Sequence, residues 1–251
     1  MNIKEQINSH ILTFLRNVKA GGVFRVDQFR ASHDYNRSEI SRIFATLADE
    51  GTIVKLTKGI YLKPSAEQKR RIDNLRPEEL IGDFLFDKDG ANIGYITGNA
   101  YLASLGLLDK AGDVVTVATP HRHSMTVRRG VTFTFMVQRL PINIYTFELL
   151  QMLDALRNIN RTKEMVEPAA LYERIKDNVR AMSPSRIDRM VDLAMRYNHM
   201  TKALAGSMIE SIHGTAYAGR LLMSLNCTTS SEVHIPPEKL PNAQVWRLVC
   251  R

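Results

Sequence analysis

The chain has 251 residues, of which 44% are hydrophobic and 24% charged, and its formal net charge is +8. These values are typical of a protein that folds over most of its length, and no apolar run reaches the roughly 18 residues of a membrane-spanning helix. The only cysteines, Cys227 and Cys250, lie too far apart for a metal-binding or redox pair, which argues against a disulfide framework and favours a cytoplasmic location. The first residues include an acid and no apolar run, so no secretory signal is expected.

The positive charge is concentrated in the N-terminal third of the sequence. Residues 1–76 contain fourteen lysines and arginines against eight acids, whereas the remainder contains 20 bases and 18 acids. This asymmetry predicts a polyanionic partner for the first segment, and we expect that partner to be double-stranded DNA. A membrane surface is not expected, because the basic residues are interleaved with turn signals and do not line one amphipathic helix.

Residues 1–63 show the order of elements that defines a winged helix-turn-helix. The predicted elements are a helix over 3–18, an extended piece at 23–26, a short helix over 27–31, a turn at 33–35, a helix over 36–50, and a hairpin with strands at 52–56 and 60–62. Gly21 and Gly22 end the first helix, and Asp27 is the expected N-cap of the second. Asn36, with Glu39 three residues later, gives the third helix a capping-box-like start.

The helix over 36–50 is the predicted DNA-reading element. Four apolar residues at helical spacing form one stripe, namely Ile40, Ile43, Phe44 and Leu47. If that stripe faces inward, the polar N-terminal half of the helix faces the major groove. The expected DNA contacts on this helix are Asn36, Arg37, Ser38, Ser41 and Arg42. Arg42 is expected to read guanine, and Arg37 and Ser38 to meet phosphates. The alternative interpretation is an ordinary amphipathic helix with a solvated polar face.

The hairpin supplies further cations for the same surface. Lys55, Lys58 and Lys63 surround its glycine turn, and a wing needs such charges because it lies along the DNA backbone. Tyr61 alternates with apolar neighbours and is interpreted as a half-buried strand residue.

The rest of the chain changes pattern after Pro77, so residues 64–77 are predicted to be a linker and 78–251 a second domain. The predicted fold class is α+β, with a winged helix-turn-helix, a mixed α/β domain and a helical extension after about residue 145. The predicted elements of the second domain are helices over 79–86 and 99–107, a strand at 114–118, a hairpin around 128–130, helices over 147–159, 169–181, 185–197 and 199–212, and a last strand at 245–249.

Two segments of the sequence resemble a known family. The spacing from Ile40 to Pro64, including Gly59-Ile60-Tyr61, resembles the winged-helix start of the AbiEi-type antitoxins of type IV toxin–antitoxin systems. The run Gly94-Tyr95-Ile96-Thr97-Gly98-Asn99-Ala100, followed by Leu105-Gly106-Leu107, resembles the start of the family's second domain. Leu225-Asn226 and Trp246 resemble a longer branch of related proteins whose function is unassigned.

The resemblance implies a repressor that binds inverted repeats in its own promoter. It also implies that the second domain counteracts a nucleotidyltransferase toxin of bacterial abortive infection without forming a stable complex with it. The helical extension after residue 145 departs from the shorter family members. The oligomeric state stays open.

No enzyme motif is recognised, and no cofactor or metal is expected. His121 and His123 could form a metal pair, but no neighbouring ligand completes a zinc set. Glu67 and Lys69 have the spacing of a nuclease pair but lie in the predicted linker. Two alternatives to the antitoxin remain, a DNA-tethered effector enzyme and a winged-helix regulator that senses a small molecule.

Overall fold

The computed structural model describes residues 3–251, and its fold is α+β. The chain forms two compact units. The first contains the residues up to Ala91 together with Ser124–Thr134, and the second contains Asn92–His123 and Phe135–Arg251. Among the described residues, no helix combines the length and the apolar character that a bilayer span requires.

The first unit begins with the predicted winged helix-turn-helix. Its elements are α1 (Ile3–Asn17), β1 (Val23–Arg25), α2 (Val26–Arg30), α3 (Arg37–Asp49), β2 (Val54–Thr57) and β3 (Ile60–Leu62). The three strands form an antiparallel sheet in the order β1-β3-β2. Asp27 is not the N-cap of α2 that the sequence predicted, because the helix begins after Arg25. Asp27 lies in the first turn of α2, where it pairs with Arg30.

A single apolar core holds this part of the unit together. It contains Ile7, Ile11 and Leu15 from α1, the stripe of α3, and the aromatic side chains of Phe24, Phe29 and Tyr61. Because each short element contributes only a few of these residues, the core forms only when all of them pack together.

The segment predicted as a linker is folded and belongs to the first unit. It contains α4 (Ala66–Arg70), whose N-cap Ser65 accepts a hydrogen bond from the backbone of Gln68. The predicted helix over 79–86 is two short helices, α5 (Pro77–Leu80) and α6 (Gly82–Leu85), because the backbone leaves the helical region at Ile81. The boundary between the units falls after Ala91, later in the chain than the predicted linker.

A hairpin from the middle of the chain completes the first unit. Strands β6 (Thr126–Arg128) and β7 (Val131–Val137) pair antiparallel, and the residues of β7 from Phe135 onward belong to the second unit. Arg128 is fully buried, and its guanidinium donates to both carboxylate oxygens of Asp83 at 2.5 and 3.0 Å and to the carbonyl of Leu80 at 2.7 Å. These bonds fix the hairpin to the segment around α6.

The second unit combines a small β-structure with a helical region. Its elements are β4 (Tyr95–Thr97), α7 (Asn99–Ser104), β5 (Val114–Thr119), α8 (Phe147–Arg157), α9 (Pro168–Arg180), α10 (Pro184–Ala194), α11 (His199–His213), α12 (Thr215–Met223), β8 (Ser231–Val233) and β9 (Leu248–Cys250), with 3-10 turns at Ile159–Arg161 and Pro237–Lys239. Strands β4 and β5 pair antiparallel, and β8 and β9 pair parallel.

The sequence predicted Trp246 to lie in the last strand. In the structure Trp246 precedes that strand and occupies the interior of the unit. The chain turns at Arg247, which has a φ of 54°, so β9 begins only at Leu248. The indole N–H of Trp246 donates to Glu210 at 2.7 Å. A Cβ on Gly206 would lie 2.0 Å from the indole ring, so only glycine allows α11 to approach the tryptophan this closely.

A buried polar network lies in the same unit. The carboxylate of Asp154 accepts hydrogen bonds from the hydroxyls of Tyr95 at 2.6 Å and Tyr197 at 2.9 Å. The side-chain amide of Gln138 donates to both phenol oxygens, at 2.9 and 3.2 Å. Burial raises the pKa of Asp154, and the two phenol hydrogen bonds oppose that effect.

Candidate nucleic-acid interface

Helix α3 presents one face to the core and the opposite face to solvent. Ile40, Ile43, Phe44 and Leu47 are buried, as the helical spacing predicted. Asn36 is the N-cap, and its Oδ1 accepts hydrogen bonds from the backbone N–H of Ser38 at 2.9 Å and from the Ser38 hydroxyl at 2.7 Å. The cap therefore uses Ser38, two residues on, and fixes where the helix begins.

The polar face of α3 contains the residues that were predicted to contact DNA. Asn36, Arg37, Ser38, Ser41 and Arg42 are all exposed. Among residues 3–251, no ion pair joins Arg37 or Arg42 to an acid. Two guanidinium groups with no acidic partner in the described chain thus lie on the N-terminal half of an exposed helix face.

Stacked rings hold the turn that precedes α3. The His33 ring stacks on Phe29 with centroids 4.5 Å apart, and Tyr35 stacks on His33 at 5.8 Å. The Tyr35 hydroxyl shares a hydrogen bond of 2.8 Å with Nδ1 of His10 in α1. The sequence predicted a turn at this place, but its aromatic packing depends on His10 of α1, which precedes Tyr35 by 25 residues, and local patterns do not show such contacts.

The wing is the hairpin formed by β2 and β3. Lys55 and Lys58 are exposed, and within the described chain neither has an ion pair. Gly59 has a φ of 73°, which is the backbone conformation that a tight turn needs and glycine adopts readily. The pairing of β2 with β3 shifts between Lys55 and Thr57, so a β-bulge lies at Leu56 beside the turn.

Lys63 has a structural role that the sequence did not indicate. Its ammonium group donates to the carbonyl of Leu15 at 2.7 Å and to that of Val18 at 2.8 Å. These carbonyls lie at the C-terminal end of α1, where backbone acceptors have no helical partner and a cation is favoured. Lys63 therefore caps α1, and the phosphate contact predicted for it stays a prediction that would compete with these two hydrogen bonds.

Several other cations of the first unit form ion pairs with carboxylates. Arg25 pairs with Asp83 at 3.2 Å. Arg71 pairs with Glu79 at 2.5 Å, and Arg76 pairs with the same carboxylate at 3.6 Å. The guanidinium of Arg71 lowers the pKa of Glu79 to about 2, and backbone and amide donors add to the effect. The basic residues of this unit thus divide into a paired group and an exposed, unpaired group.

Within the described chain, the structure adds no further ligand to the metal pair of His121 and His123 or to the nuclease-like pair of Glu67 and Lys69. His121 and His123 are exposed, and no group of three or more potential metal ligands occurs within residues 3–251. Glu67 is exposed on α4 and forms an ion pair with Arg71, four residues later.

The fold and this surface define a protein with an N-terminal winged helix-turn-helix. No protein-family model matches the chain, and no curated protein does. Among solved structures, the chain is similar to the RV2827C protein from Mycobacterium tuberculosis, with 14% identity, a TM-score of 0.47, and coverage of 98% of this chain and 92% of that chain. At this level of identity the similarity carries no information about function.

Proposed function

We propose that this protein is a DNA-binding transcriptional regulator that uses α3 as its recognition helix and the β2–β3 hairpin as its wing. The observation that carries the proposal is the exposed and unpaired state of Arg37 and Arg42 on α3, next to a core that fixes the orientation of the helix. Lys55 and Lys58 on the wing add two further exposed charges.

The dimensions and the charges of α3 suit a DNA major groove. The groove is about 12 Å wide and admits one α-helix, which enters by its N-terminal residues. Ala45, one turn beyond Ser41 and Arg42, is exposed and small, so the helix can come close to the bases. Arg37 at the first turn is suited to a phosphate, and Arg42 can donate two hydrogen bonds to the O6 and N7 acceptors of guanine.

The test is a titration of the purified full-length chain with its own upstream DNA and with a random duplex of equal length. We expect the Arg42→Ala variant to lose about 1–3 kcal/mol of binding free energy on the upstream DNA and much less on the random duplex. The matched control is Arg180→Ala, which removes one exposed charge from the second unit. Equal losses on both duplexes would make Arg42 a phosphate contact, and no binding by the wild type at low salt would refute the proposal.

We further propose that the regulator is the autoregulating antitoxin of a type IV toxin–antitoxin system, without enzyme activity of its own. The support for this narrower function is the sequence resemblance to the AbiEi-type antitoxins in the winged helix and in the segment Gly94–Ala100. In that case the operator consists of inverted repeats in its own promoter, and the functional partner is a nucleotidyltransferase toxin that is not held in a stable complex.

The antitoxin role is tested by co-expressing this protein with the nucleotidyltransferase that we expect to be encoded by the neighbouring gene. We expect the full chain to restore growth to cells that express this toxin, and the Arg42→Ala variant to restore it equally when both proteins come from foreign promoters. Growth arrest in the presence of the wild-type chain would refute the antitoxin role while leaving the DNA-binding role intact. The absence of such a gene would also count against it.

A further inference from the structure

The hairpin of β6 and β7 has an arginine in its turn where other residues fit better. Arg128 pairs with Val131, so Arg129 and Gly130 form a two-residue loop, with φ values of 47° and 84°. Positive φ at both positions is the signature of a type I′ turn, whose first position favours Asn, Asp or Gly. An arginine there is strained, and such strain is common where a side chain serves a function.

This turn lies directly against the wing. The backbone N–H of Arg129 donates to the carbonyl of Leu56 at 3.3 Å, and Leu56 is the residue at the β-bulge of β2. Two residues further along, Lys58 forms the wing tip. The neighbouring Arg128, bound to Asp83, fixes the hairpin from inside the unit. The two adjacent arginines therefore have separate roles. Arg128 fixes the hairpin through its ion pair with Asp83, and Arg129 lies in the turn.

The Arg129 guanidinium has only a weak partner within the first unit. It faces Asp73 at 3.6 Å, and the side chain of Asp73 is 90% exposed. An exposed ion pair at this distance is screened by water and contributes little free energy, so a DNA phosphate can replace the carboxylate.

We propose that the β6–β7 turn is a second wing, in which Arg129 contacts a DNA phosphate close to the one that Lys58 meets. This inference rests on the proposed DNA-binding function and extends it to a residue far along the sequence from the winged helix. Asp73 acts as the competing internal anion, which Arg129 leaves when the duplex binds.

The test compares thermal stability with the affinity for DNA in the full-length Arg129→Asn variant. Asn suits the turn, so we expect a melting temperature equal to or above that of the wild type. The dissociation constant for a duplex should rise about fivefold at low salt, and the slope of log affinity against log salt should flatten by about 0.9. A structural role alone would lower stability and would leave the salt slope unchanged.

Two further variants complete the design. Asp73→Asn should tighten binding about twofold, because the internal competitor is neutralised. Arg180→Asn removes an exposed charge from the second unit and should change neither the affinity nor the salt slope. If wild type and Arg129→Asn bind the duplex with the same affinity and slope, the second wing is refuted while the proposed function stands. If the wild type binds no duplex at all, both are refuted.

Discussion

A partly buried carboxylate in the first unit and a buried one in the second accept hydrogen bonds from different kinds of donor. In the first unit, Glu79 accepts from the guanidinium of Arg71 at 2.5 and 2.7 Å, and also from the backbone N–H of Arg76 and the amide of Gln68. In the second unit, Asp154 accepts side-chain hydrogen bonds from two phenols. Cationic donors stabilise the charged form of a carboxylate, whereas burial among neutral donors leaves most of the desolvation cost uncompensated.

In the first unit, the lysines and arginines that stabilise the fold can be distinguished from those that are exposed and available to a partner. The first unit is rich in arginine and lysine, and its acids neutralise those that lie inside or beside the core. Among the cations without an acidic partner in the described part of the chain are Arg37 and Arg42 on α3 and Lys55 and Lys58 on the wing. In the interior of the second unit, the polar side chains that form hydrogen bonds are mainly tyrosine, glutamine and tryptophan. Their substitution should therefore change mainly the free energy of unfolding. Substitutions in the two units should therefore separate in their effects on unfolding and on DNA binding.

The largest effect on stability is expected from Gly206→Ala in the second unit. The added Cβ would lie 2.0 Å from the ring of Trp246, and both groups are in the interior. We expect the free energy of unfolding to fall by about 3 kcal/mol or more, measured by urea denaturation. The matched control is Gly219→Ala in α12, where a Cβ meets no atom within 4 Å. It should be neutral or raise stability by up to about 1 kcal/mol, and equal losses in both variants would contradict the packing explanation.

Lys63→Met should cost about 2 kcal/mol of stability, because it removes two charge-assisted hydrogen bonds to the end of α1. The measurement is again urea denaturation. The salt dependence of DNA binding, measured at a temperature where the variant is folded, should be unchanged. A flatter salt slope with full stability would return Lys63 to the DNA interface.

The two carboxylates should give opposite dependences of stability on pH. The pKa of Glu79 is lowered, so the stability it contributes is present above about pH 4.5 and is lost as the pH falls toward about 2. After allowance for solvent screening, we expect this contribution to be about 2 kcal/mol. Glu79→Gln should therefore remove most of the loss on acidification in this range, as measured by urea denaturation at several pH values.

Asp154 should show the reverse sign. Its pKa is raised in the fold, so folding favours the protonated form, and this contribution is lost as the pH rises through the raised pKa. The difference in unfolding free energy between Asp154→Asn and wild type should therefore shift in favour of the variant as the pH rises. Parallel pH profiles for the two proteins would show that Asp154 titrates normally.

The smallest effect on stability is expected at the wing. Lys55→Gln combined with Lys58→Gln should change the free energy of unfolding by less than about 0.5 kcal/mol, because both side chains are exposed. The same double variant should flatten the slope of log affinity against log salt by about two units. An unchanged slope would remove the wing from the interface.

The sequence predicted the winged helix-turn-helix well because its signals are local. The apolar stripe of α3, the glycine turn of the wing and the order of the short elements follow from spacing over a few residues. The exposed candidates on α3 follow from the same periodicity, since a stripe that is buried leaves the opposite face in solvent.

The role of Lys63 was not predictable from local sequence because it depends on a distant partner. Beside a glycine turn it has the pattern of a wing cation, and only the folded chain brings it to the end of α1. Trp246 was placed in a strand because apolar neighbours suggest one, whereas Gly206 provides the space for its ring. The sequence predicted the hairpin around Arg129 but not that its turn lies beside the wing, because the two hairpins are more than sixty residues apart in the chain.

The way the first unit is assembled also constrains the order in which the chain can fold during synthesis. Arg128 enters the interior from a hairpin that is made only after residues 92–123, which belong to the other unit. A nascent chain cut off at Ala91 would leave Asp83 without its buried arginine and the bulged edge of β2 without its covering turn. The first unit is therefore complete only once residues 124–134 have been synthesised, and a fragment ending at Ala91 is an incomplete domain.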